Sequence, residues 1–178
     1  MFSSTAAVYG DPDTTPVRET AAARPTSPYG ASKLAVGHMI GGYARAYGLA
    51  AVSLRYWPTP DGTCIRDYIH VAGLARAHLL ALDAAAPGRH EVCNLGNGVG
   101  FSVREVVDTA RRVTGHPIPA VDGPRRVGDP AILVASAERA RTLLGWQPEH
   151  PDLERIIADA WDLSGRLSAR RSGRLLPD

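Results

Sequence analysis

The segment "SPYGASKLAVGHMIGGYARAYGLAAVSLRY", residues 27–56, decides the fold because it predicts a helix that leads into a buried strand. Ser27 and Pro28 are typical of a helix N-cap and first turn, and Gly48 is typical of a helix end. We therefore expect a helix from Pro28 to about Tyr47. The apolar run after it favours a strand that is covered on both faces, as strands of parallel sheets are.

Elements of the same two kinds alternate along the rest of the chain. "MFSSTAAVYG", residues 1–10, predicts a strand that ends in a turn, and residues 11–28 predict a loop. A third strand is predicted at residues 90–96, and further helices are predicted after His70, from Ser102 to about Thr114, around residues 136–146 and over residues 151–167. The alternation predicts the α/β class. Because only three or four strands are visible, we expect an incomplete doubly wound parallel sheet with a small α/β portion beside it.

The composition argues against several classes of function. The net charge of +2 over 178 residues is too small to indicate binding to nucleic acid. No window reaches about 18 apolar residues, and "MFSSTAAVYGDP" lacks the basic start of a signal peptide. Cys64 and Cys93 are too few for a disulfide framework, and the six histidines lack metal-ligand spacing. We expect a cytoplasmic protein with reduced thiols, no metal, and neither nucleic acid nor membrane as a partner.

Tyr29 and Lys33 lie four residues apart, so one helical turn brings a phenol and an ammonium together. Nineteen of the 20 basic residues are Arg, and Lys33 is the only lysine, which favours a site that needs a compact, rotatable charge. An ammonium near a phenol lowers the phenol's pKa from about 10, so such a pair can move protons near neutral pH. The alternative is an ordinary half-buried Tyr beside a Lys whose stem lies along the surface.

Thr5 is the third candidate for a catalytic group. It lies where the first predicted strand ends, and the carboxyl ends of parallel strands line the ligand crevice of doubly wound folds. We expect the helix that carries Tyr29 and Lys33 to pack alongside this strand, which would bring the three side chains to the same end of the sheet.

Six segments then follow one another in a fixed order: "FSSTAAVYG", "SPYGASKLA", "LRY", "PTPDGTCIRDYIHVAGLARAH", "CNLGNGVGFSVREVV" and "PRRVGDP". This series resembles the UDP-glucose 4-epimerases of the extended short-chain dehydrogenase/reductase superfamily, in the NAD-dependent epimerase/dehydratase family. The segment "PTPDGTCIRDYIHV", residues 58–71, is more similar to the epimerases than to the sibling sugar-nucleotide dehydratases. The resemblance extends to about residue 165.

The resemblance implies a reaction and the residues that perform it. Tyr29 would remove the proton of the sugar's 4-hydroxyl, and Thr5 would hydrogen-bond the same hydroxyl. Lys33 would hold the ribose beside the nicotinamide, and Ser3 and Ser4 would also contact the cofactor, NAD. The hydride would pass from C4 to NAD and return to the other face of the 4-keto sugar.

The resemblance also implies a substrate site and a partner. Arg66 corresponds to the family arginine on the uridine diphosphate, and Arg126 with Asp129 corresponds to the pair that holds diphosphate and ribose. A guanidinium suits phosphate because its forked donors match the phosphate oxygens. The implied substrate is therefore a UDP-sugar, although either arginine taken alone would be read as solvated surface. Family members commonly form homodimers through helices that include the one with Tyr29 and Lys33.

By the same resemblance the chain divides into three parts. Residues 1–56 would be the C-terminal part of a Rossmann-type NAD-binding domain. Residues 57–167 would be the substrate-binding portion, with a helix and a strand that return to the Rossmann sheet. Residues 168–178 would be a disordered tail.

Two family features are absent from the sequence, which therefore resembles a truncated and internally deleted member. The glycine-rich loop that holds the NAD pyrophosphate is absent, because Gly96, Gly98 and Gly100 lack the G-x-G-x-x-G spacing and are interpreted as structural. A stretch after "LRY" is also absent, because Trp57 runs directly into Pro58. We therefore expect an exposed sheet edge, an uncovered apolar face, weak NAD binding and little or no turnover by this chain.

Three functional hypotheses remain open at this point. The first is a truncated UDP-glucose 4-epimerase, and the second is a sibling epimerase or decarboxylase that acts on another nucleotide sugar. The third is a non-enzymatic remnant that binds a nucleotide sugar weakly or associates with a full-length homologue.

Overall fold

The computed structural model describes residues 1–56, 64–121 and 131–171. The described residues form six strands: β1 (Phe2–Thr5), β2 (Ala51–Tyr56), β3 (Ile65–Arg66), β4 (His90–Asn94), β5 (Phe101–Ser102) and β6 (Ile132–Leu133). They also form five α-helices: α1 (Pro28–Tyr47), α2 (Val71–Asp83), α3 (Val103–Thr114), α4 (Glu138–Leu144) and α5 (Leu153–Arg171).

The larger sheet consists of three parallel strands in the order β1-β2-β4. Phe2 lies opposite Ser53, and Leu54 lies opposite Cys93. Because α1 connects β1 to β2 and α2 lies between β2 and β4, the predicted alternation and the α/β class are confirmed. Within the described residues β1 pairs only with β2, so it forms the exposed sheet edge that the sequence predicts.

The ends of α1 and α3 follow from their capping residues. The Ser27 hydroxyl accepts a hydrogen bond from the backbone N–H of Gly30, and Gly48 ends α1 in the left-handed conformation at φ +73°. Ser102 and Glu105 form a capping box at the start of α3. The bounds predicted for both helices are therefore confirmed.

The two faces of the larger sheet differ in chemistry because successive side chains of a strand point to opposite sides. On the apolar face, Val52, Leu54 and Cys93 pack with α2, with α4 and with Trp146. Trp146 has no exposed surface, and its indole N–H donates to the carbonyl of Gly73 at 2.8 Å. On the polar face, Ser53, Arg55 and His90 lie towards α1 and line a cavity. The expectation of an uncovered apolar face is therefore wrong for this sheet, since its apolar face is covered and the other face is polar.

The smaller sheet has the order β5-β3-β6, with β3 antiparallel to β5 and parallel to β6. Next to it, the buried carboxylate of Asp67 accepts three backbone hydrogen bonds, from Asn97 at 2.7 Å and from Gly98 and Ala135 at 3.2 Å each. A Cβ on Gly96 would lie 2.3 Å from an Asp67 carboxylate oxygen. The glycine-rich stretch therefore binds the chain's own carboxylate, which supports its interpretation as structural.

Helices α3 and α5 border an apolar groove of about 460 Å³. Its lining includes Leu153, Ile156, Ile157, Ala160 and Trp161, so these five residues share a face of α5. The helix continues to Arg171, so residues 168–171 are helical and the prediction of disorder from residue 168 is wrong there. Ala and Arg are good helix formers, so this end can extend the last turn. No helix of the described part of the chain combines the length and the apolar character needed to cross a membrane.

Candidate functional site

Tyr29 and Lys33 occupy the first two turns of α1. The Lys33 Nζ lies 5.8 Å from the centroid of the Tyr29 ring, which confirms the predicted proximity of ammonium and phenol. The Tyr29 side chain is 48% exposed, so a ligand can reach it from solvent. Lys33 is partly buried, because its ammonium turns back towards the sheet.

The ammonium of Lys33 fastens α1 to β1. Its Nζ donates to the backbone carbonyl of Ser3 at 2.9 Å and lies 5.1 Å from the centre of the Phe2 ring. An ammonium in this position combines a charge-assisted hydrogen bond with a cation–π contact. The sequence predicts the Tyr29–Lys33 pair, but the bond to Ser3 spans 30 residues and could not be predicted from it.

Thr5 ends β1 and begins the short 3₁₀ helix Ala6–Tyr9. Its hydroxyl accepts a hydrogen bond from the backbone N–H of Ala7 at 3.1 Å, and the residue is fully buried. The start of α1 packs directly against this turn, because a Cβ on Gly30 would lie 2.5 Å from the carbonyl oxygen of Ala7. The helix that carries Tyr29 therefore lies alongside the end of β1, as the sequence predicts.

The two serines of β1 differ in exposure. Ser4 is buried, whereas Ser3 is exposed and its hydroxyl shares a hydrogen bond with His78 Nε2 at 3.1 Å. The structure thus brings Ser3 together with Lys33 through the backbone carbonyl. The hydroxyl of Ser3 is already engaged with α2 through His78.

Arg66 is 2% exposed, and one of its donor groups has no hydrogen-bond partner among the described residues. Its Nη1 donates to the carbonyls of Ile65 at 2.9 Å and Ala131 at 3.4 Å, while its Nη2 is buried with no partner among the described residues. A buried guanidinium with an unpaired nitrogen is costly unless an anion completes it. Arg126 and Asp129, the other two predicted substrate residues, lie outside the described residues.

Tyr68 is a partly buried residue whose hydroxyl is shielded from solvent. Its hydroxyl is also without a partner in the described part of the chain. Burial raises the pKa of Tyr68, and the positive charge of Arg66 opposes that rise, which places the two groups within electrostatic reach. The only signal in the sequence was its place in "IRDY", two residues after Arg66.

The donor set around Lys33 fits one end of a dinucleotide. An exposed phenol and an ammonium at the start of a helix can bind ribose hydroxyls, whereas a pyrophosphate needs several free backbone N–H groups. The glycine-rich stretch cannot supply them, because the N–H groups of Asn97 and Gly98 already bind Asp67. Among the described residues, no group of three or more His, Cys, Asp or Glu side chains could hold a metal ion.

A family model described as GDP-mannose 4,6 dehydratase matches residues 1–63, just over a third of the chain. Longer matches come from individual proteins. A UDP-glucose 4-epimerase of Corynebacterium glutamicum is 46% identical, over 96% of this chain and 64% of that protein. A UDP-glucose 4-epimerase of Streptomyces lividans is 51% identical, over 91% of this chain and 61% of that protein.

The chain is homologous to the UDP-glucose 4-epimerases. Its fold agrees, because the crystal structure of the UDP-glucose 4-epimerase from Bifidobacterium longum, in complex with NAD+ and UDP, matches it with a TM-score of 0.83 at 31% identity. That match covers 93% of this chain and 63% of the solved one. The α/β Rossmann-like fold of this epimerase homologue is thereby confirmed, and NAD is the cofactor bound in the solved relative.

This epimerase homologue spans less than two thirds of the length of the relatives it matches. The alignment with the Corynebacterium glutamicum protein runs over 211 residues, which is more than the 178 residues of the chain. The relative therefore has residues inside the aligned range that have no counterpart here, as the sequence predicts from the direct junction of Trp57 and Pro58.

Proposed function

We propose that the protein acts on a UDP-sugar as a UDP-glucose 4-epimerase that interconverts UDP-galactose and UDP-glucose, a reaction of galactose metabolism. The observation that carries the proposal is the Tyr29–Lys33 pair, held against β1 by the bond from Lys33 Nζ to the Ser3 carbonyl. The curated relatives from Corynebacterium glutamicum and Streptomyces lividans that this chain matches are named UDP-glucose 4-epimerase. A cytoplasmic location, expected from the two reduced cysteines, is part of the proposal.

In this reaction Tyr29 is the base that takes the proton of the sugar's 4-hydroxyl. Its exposed phenol can reach a ligand, and a positioned acid–base group of this kind contributes about 10²–10⁴-fold to rate. Thr5 would donate its hydroxyl proton to the same sugar oxygen, because a hydroxyl that accepts one bond from Ala7 can still donate another. NAD, when bound, supplies the hydride acceptor and donor at C4.

Lys33, Ser3 and Ser4 form the proposed contact with the nicotinamide ribose. Lys33 has three donor protons and uses one on the Ser3 carbonyl, so two remain for ribose hydroxyls. Arg66 is proposed to bind the diphosphate of the substrate through its buried, unpartnered Nη2. Arg126 and Asp129 are proposed to complete this site at diphosphate and ribose.

We expect this chain by itself to turn over slowly or not at all. Its sequence has no strand, G-x-G-x-x-G loop and helix in succession, and the one glycine-rich stretch that follows a strand is bound to Asp67. The sequence therefore contains the residues that would orient the sugar but lacks the loop that would bind the NAD pyrophosphate. The division into residues 1–56 for the cofactor and 57–167 for the substrate is proposed on the same basis.

A second candidate function is binding without catalysis. It is favoured by Arg66, which is buried and whose Nη2 has no hydrogen-bond partner among the described residues. In this form the chain would bind a nucleotide sugar weakly or associate with a full-length homologue.

A homodimer through α1 is the proposed assembly. The outward side of this helix exposes large apolar and aromatic residues, with Met39 at 62%, Tyr43 at 53% and Tyr47 at 79% exposure. Exposed side chains of this kind, repeated along one helix, are typical of an interaction surface. Analytical ultracentrifugation of the chain and of a Met39→Ser, Tyr43→Ser variant tests it, and a monomeric wild-type chain at tens of micromolar contradicts it.

The test of function measures binding and turnover separately. The chain is purified and denatured to look for released NAD, and the native chain is incubated with added NAD and UDP-galactose while UDP-glucose is assayed. Calorimetry with UDP reports the substrate site alone. We expect measurable UDP binding, lost in Arg66→Gln, with turnover far below that of a full-length relative. If the chain showed no UDP binding and no turnover, both the epimerase function and the binding of a nucleotide sugar would be contradicted.

Matched phenol variants then separate the two candidates. Tyr29→Phe is expected to lower any measured turnover at least 100-fold, by loss of the general base, and to leave UDP binding unchanged. Tyr43→Phe is the control, because it removes an exposed phenol from the same helix that has no proposed role in catalysis or UDP binding. Equal turnover in the wild type and Tyr29→Phe contradicts the catalytic role, and UDP binding with no turnover in any variant supports binding alone.

A further inference from the structure

A cavity of about 200 Å³ lies between α1 and the polar face of the larger sheet. Its lining side chains come from α1, β1, β2 and β4, so the folded chain and not one segment creates it. Five of them are basic: Lys33, His38, Arg45, Arg55 and His90. No Asp or Glu is among the described residues that line it. The cavity therefore concentrates positive charge without an internal counter-ion.

Arg55 has a buried nitrogen with no partner at this cavity. Its Nη1 donates to the hydroxyl of Tyr9 at 2.7 Å, but its Nε is buried without a hydrogen-bond partner in the described part of the chain. The Tyr9 hydroxyl donates a hydrogen bond to Asn94 Oδ1 at 2.8 Å. Tyr9 therefore keeps its proton, is neutral, and does not balance the charge of the Arg55 guanidinium. Arg55 is partly buried, and a guanidinium whose Nε is shielded from water is stabilised when an anion pairs with it.

The surroundings of His90 also contain basic groups without an available carboxylate among the described residues. Its ring shares a 2.7 Å hydrogen bond with the hydroxyl of Ser53. Burial lowers the pKa of His90, the charges of Arg55 and Arg45 lower it further, and Glu91 acts in the opposite direction. Glu91 is the neighbouring carboxylate on β4, but it is already bound to Arg89 at 2.7 Å and to Arg139.

We propose that this cavity binds a tetrahedral oxyanion of the phosphate class, either inorganic phosphate or the phosphate group of a small metabolite. Arg45 and Arg55 supply guanidinium donors, His38 supplies an imidazole donor, and the hydrogen-bonded Ser53–His90 pair supplies one more donor. Forked guanidinium donors suit phosphate oxygens, and the cavity has room for such an anion with several waters.

The proposed anion site is separate from the sugar-binding residues. Arg45 follows Tyr29 by 16 residues on the same helix, which is about 24 Å along its axis. Two residues, Lys33 and Ser4, lie at both the anion cavity and the proposed cofactor contact, and the Lys33 ammonium is bound to the Ser3 carbonyl. The proposal therefore does not depend on epimerase activity or on NAD.

Inorganic phosphate is the probe for this site. It is titrated into the full chain at constant ionic strength, against sodium chloride, while calorimetry measures heat and NMR follows the ring resonances of the six histidines. We expect saturable binding that shifts the signals of His90 and His38 and raises the thermal unfolding midpoint. A response that never saturates, or one that chloride reproduces, overturns the proposal because it reflects general screening.

Two arginine variants keep the test specific. Arg45→Gln removes an exposed side chain from the cavity wall and is expected to weaken phosphate binding about tenfold without unfolding the chain. Arg76→Gln is the control, because Arg76 is an exposed arginine on α2 that pairs with Glu149. Equal affinity for phosphate in Arg45→Gln and the wild type overturns the proposal, as does an equal loss in Arg76→Gln. Glycerol phosphate in place of inorganic phosphate distinguishes the two sources, and tighter binding of either one supports the site.

Discussion

The two sheets of this protein are held by different physical means. The larger sheet packs its apolar face against α2, α4 and the fully buried Trp146. The smaller sheet has strands of only two residues, and the chain around it is tied together by Asp67, whose carboxylate binds three backbone N–H groups from two separate segments. Beside it, α3 and α5 leave an open apolar groove where the larger sheet has a closed core.

One chain therefore stabilises its two sheets by different means. The larger sheet depends on burial of apolar side chains, and the smaller sheet depends on hydrogen bonds to a buried carboxylate. Burial of apolar surface is non-directional and insensitive to pH, whereas a buried carboxylate depends on its protonation and on exact fit. We therefore expect substitutions to affect the larger sheet through volume, and the smaller sheet through charge and close approach.

The largest expected effect is the loss of Trp146. Trp146→Ala removes a fully buried indole and its hydrogen bond to the Gly73 carbonyl, and should lower the free energy of unfolding by about 3–5 kcal/mol. Denaturant unfolding measures the change, and Trp146→Phe, which keeps a ring, should lose less. Trp161→Ala is the matched control in the open groove, where the side chain is 44% exposed. If both substitutions lowered the free energy of unfolding equally, the proposed contrast between the closed core of the larger sheet and the open groove of α3 and α5 would be wrong.

A pH effect is expected at the smaller sheet. Burial raises the pKa of Asp67 to about 6 despite its three backbone hydrogen bonds, compared with 3.8 for an ordinary Asp. Because the folded chain binds this proton more readily than the unfolded one, Asp67 contributes stability that is fully present below pH 3.8 and is lost as the pH rises through 6. Each unit of pKa corresponds to about 1.4 kcal/mol, so the change amounts to about 2–3 kcal/mol.

The comparison of wild type with Asp67→Asn isolates this effect, since other titrating groups cancel in the difference. The stability advantage of the wild type should shrink by that amount between pH 4 and pH 7, as measured by denaturant unfolding. Asp108→Asn, at an exposed carboxylate on α3, should change stability by less than about 0.5 kcal/mol at either pH. A constant difference between wild type and Asp67→Asn across this range would contradict the prediction.

Two glycine substitutions should act with opposite signs. Gly96→Ala places a Cβ 2.3 Å from the Asp67 carboxylate and should destabilise the chain by about 1–3 kcal/mol. Gly42→Ala adds a Cβ to α1 with nothing within 4 Å and should stabilise it by about 0.5–1 kcal/mol, because Ala is the better helix former. Thermal unfolding of both variants measures the signs, and stabilisation by Gly96→Ala would show that the loop has room to move away.

The smallest destabilisation is expected at the start of α3. Ser102→Ala removes the capping box with Glu105 and should cost about 1 kcal/mol. Ser32→Ala is the control, because the Ser32 hydroxyl donates only to the Tyr29 carbonyl inside α1. It should leave thermal stability unchanged or slightly raised, and a cost equal to that of Ser102→Ala would argue against the capping assignment.

Local signals predicted most of the fold. Ser27 and Gly48 bounded α1, and Ser102 with Glu105 marked α3, because caps and helical spacing act over a few residues. The strands β3, β5 and β6 were missed, since two residues cannot show an alternating pattern. The helical end of α5 beyond Leu167 was missed as well, because a few charged and small residues resemble a disordered tail.

The contacts of the candidate site also divide into local ones, which the sequence predicts, and contacts between distant residues, which it does not. The contact between Tyr29 and Lys33 follows from a separation of four residues, so the sequence predicts it. The partners of Asp67 lie 30 and 68 residues away, and the basic cavity joins side chains of α1, β2 and β4. Distances in sequence of this size leave no periodic signal, so only the folded chain shows which polar groups meet.

The single lysine of this protein also has a practical meaning. All other basic side chains apart from histidine are guanidinium groups, which acylating reagents do not modify under the mild conditions that modify amines. Among the side chains, only the ε-amino group of Lys33 would therefore accept a dye or a surface linker from such a reagent, and it lies beside Tyr29 and against the edge strand. The amino-acid composition thus gives this molecule one side-chain amine, and that amine lies at the place where catalysis is proposed.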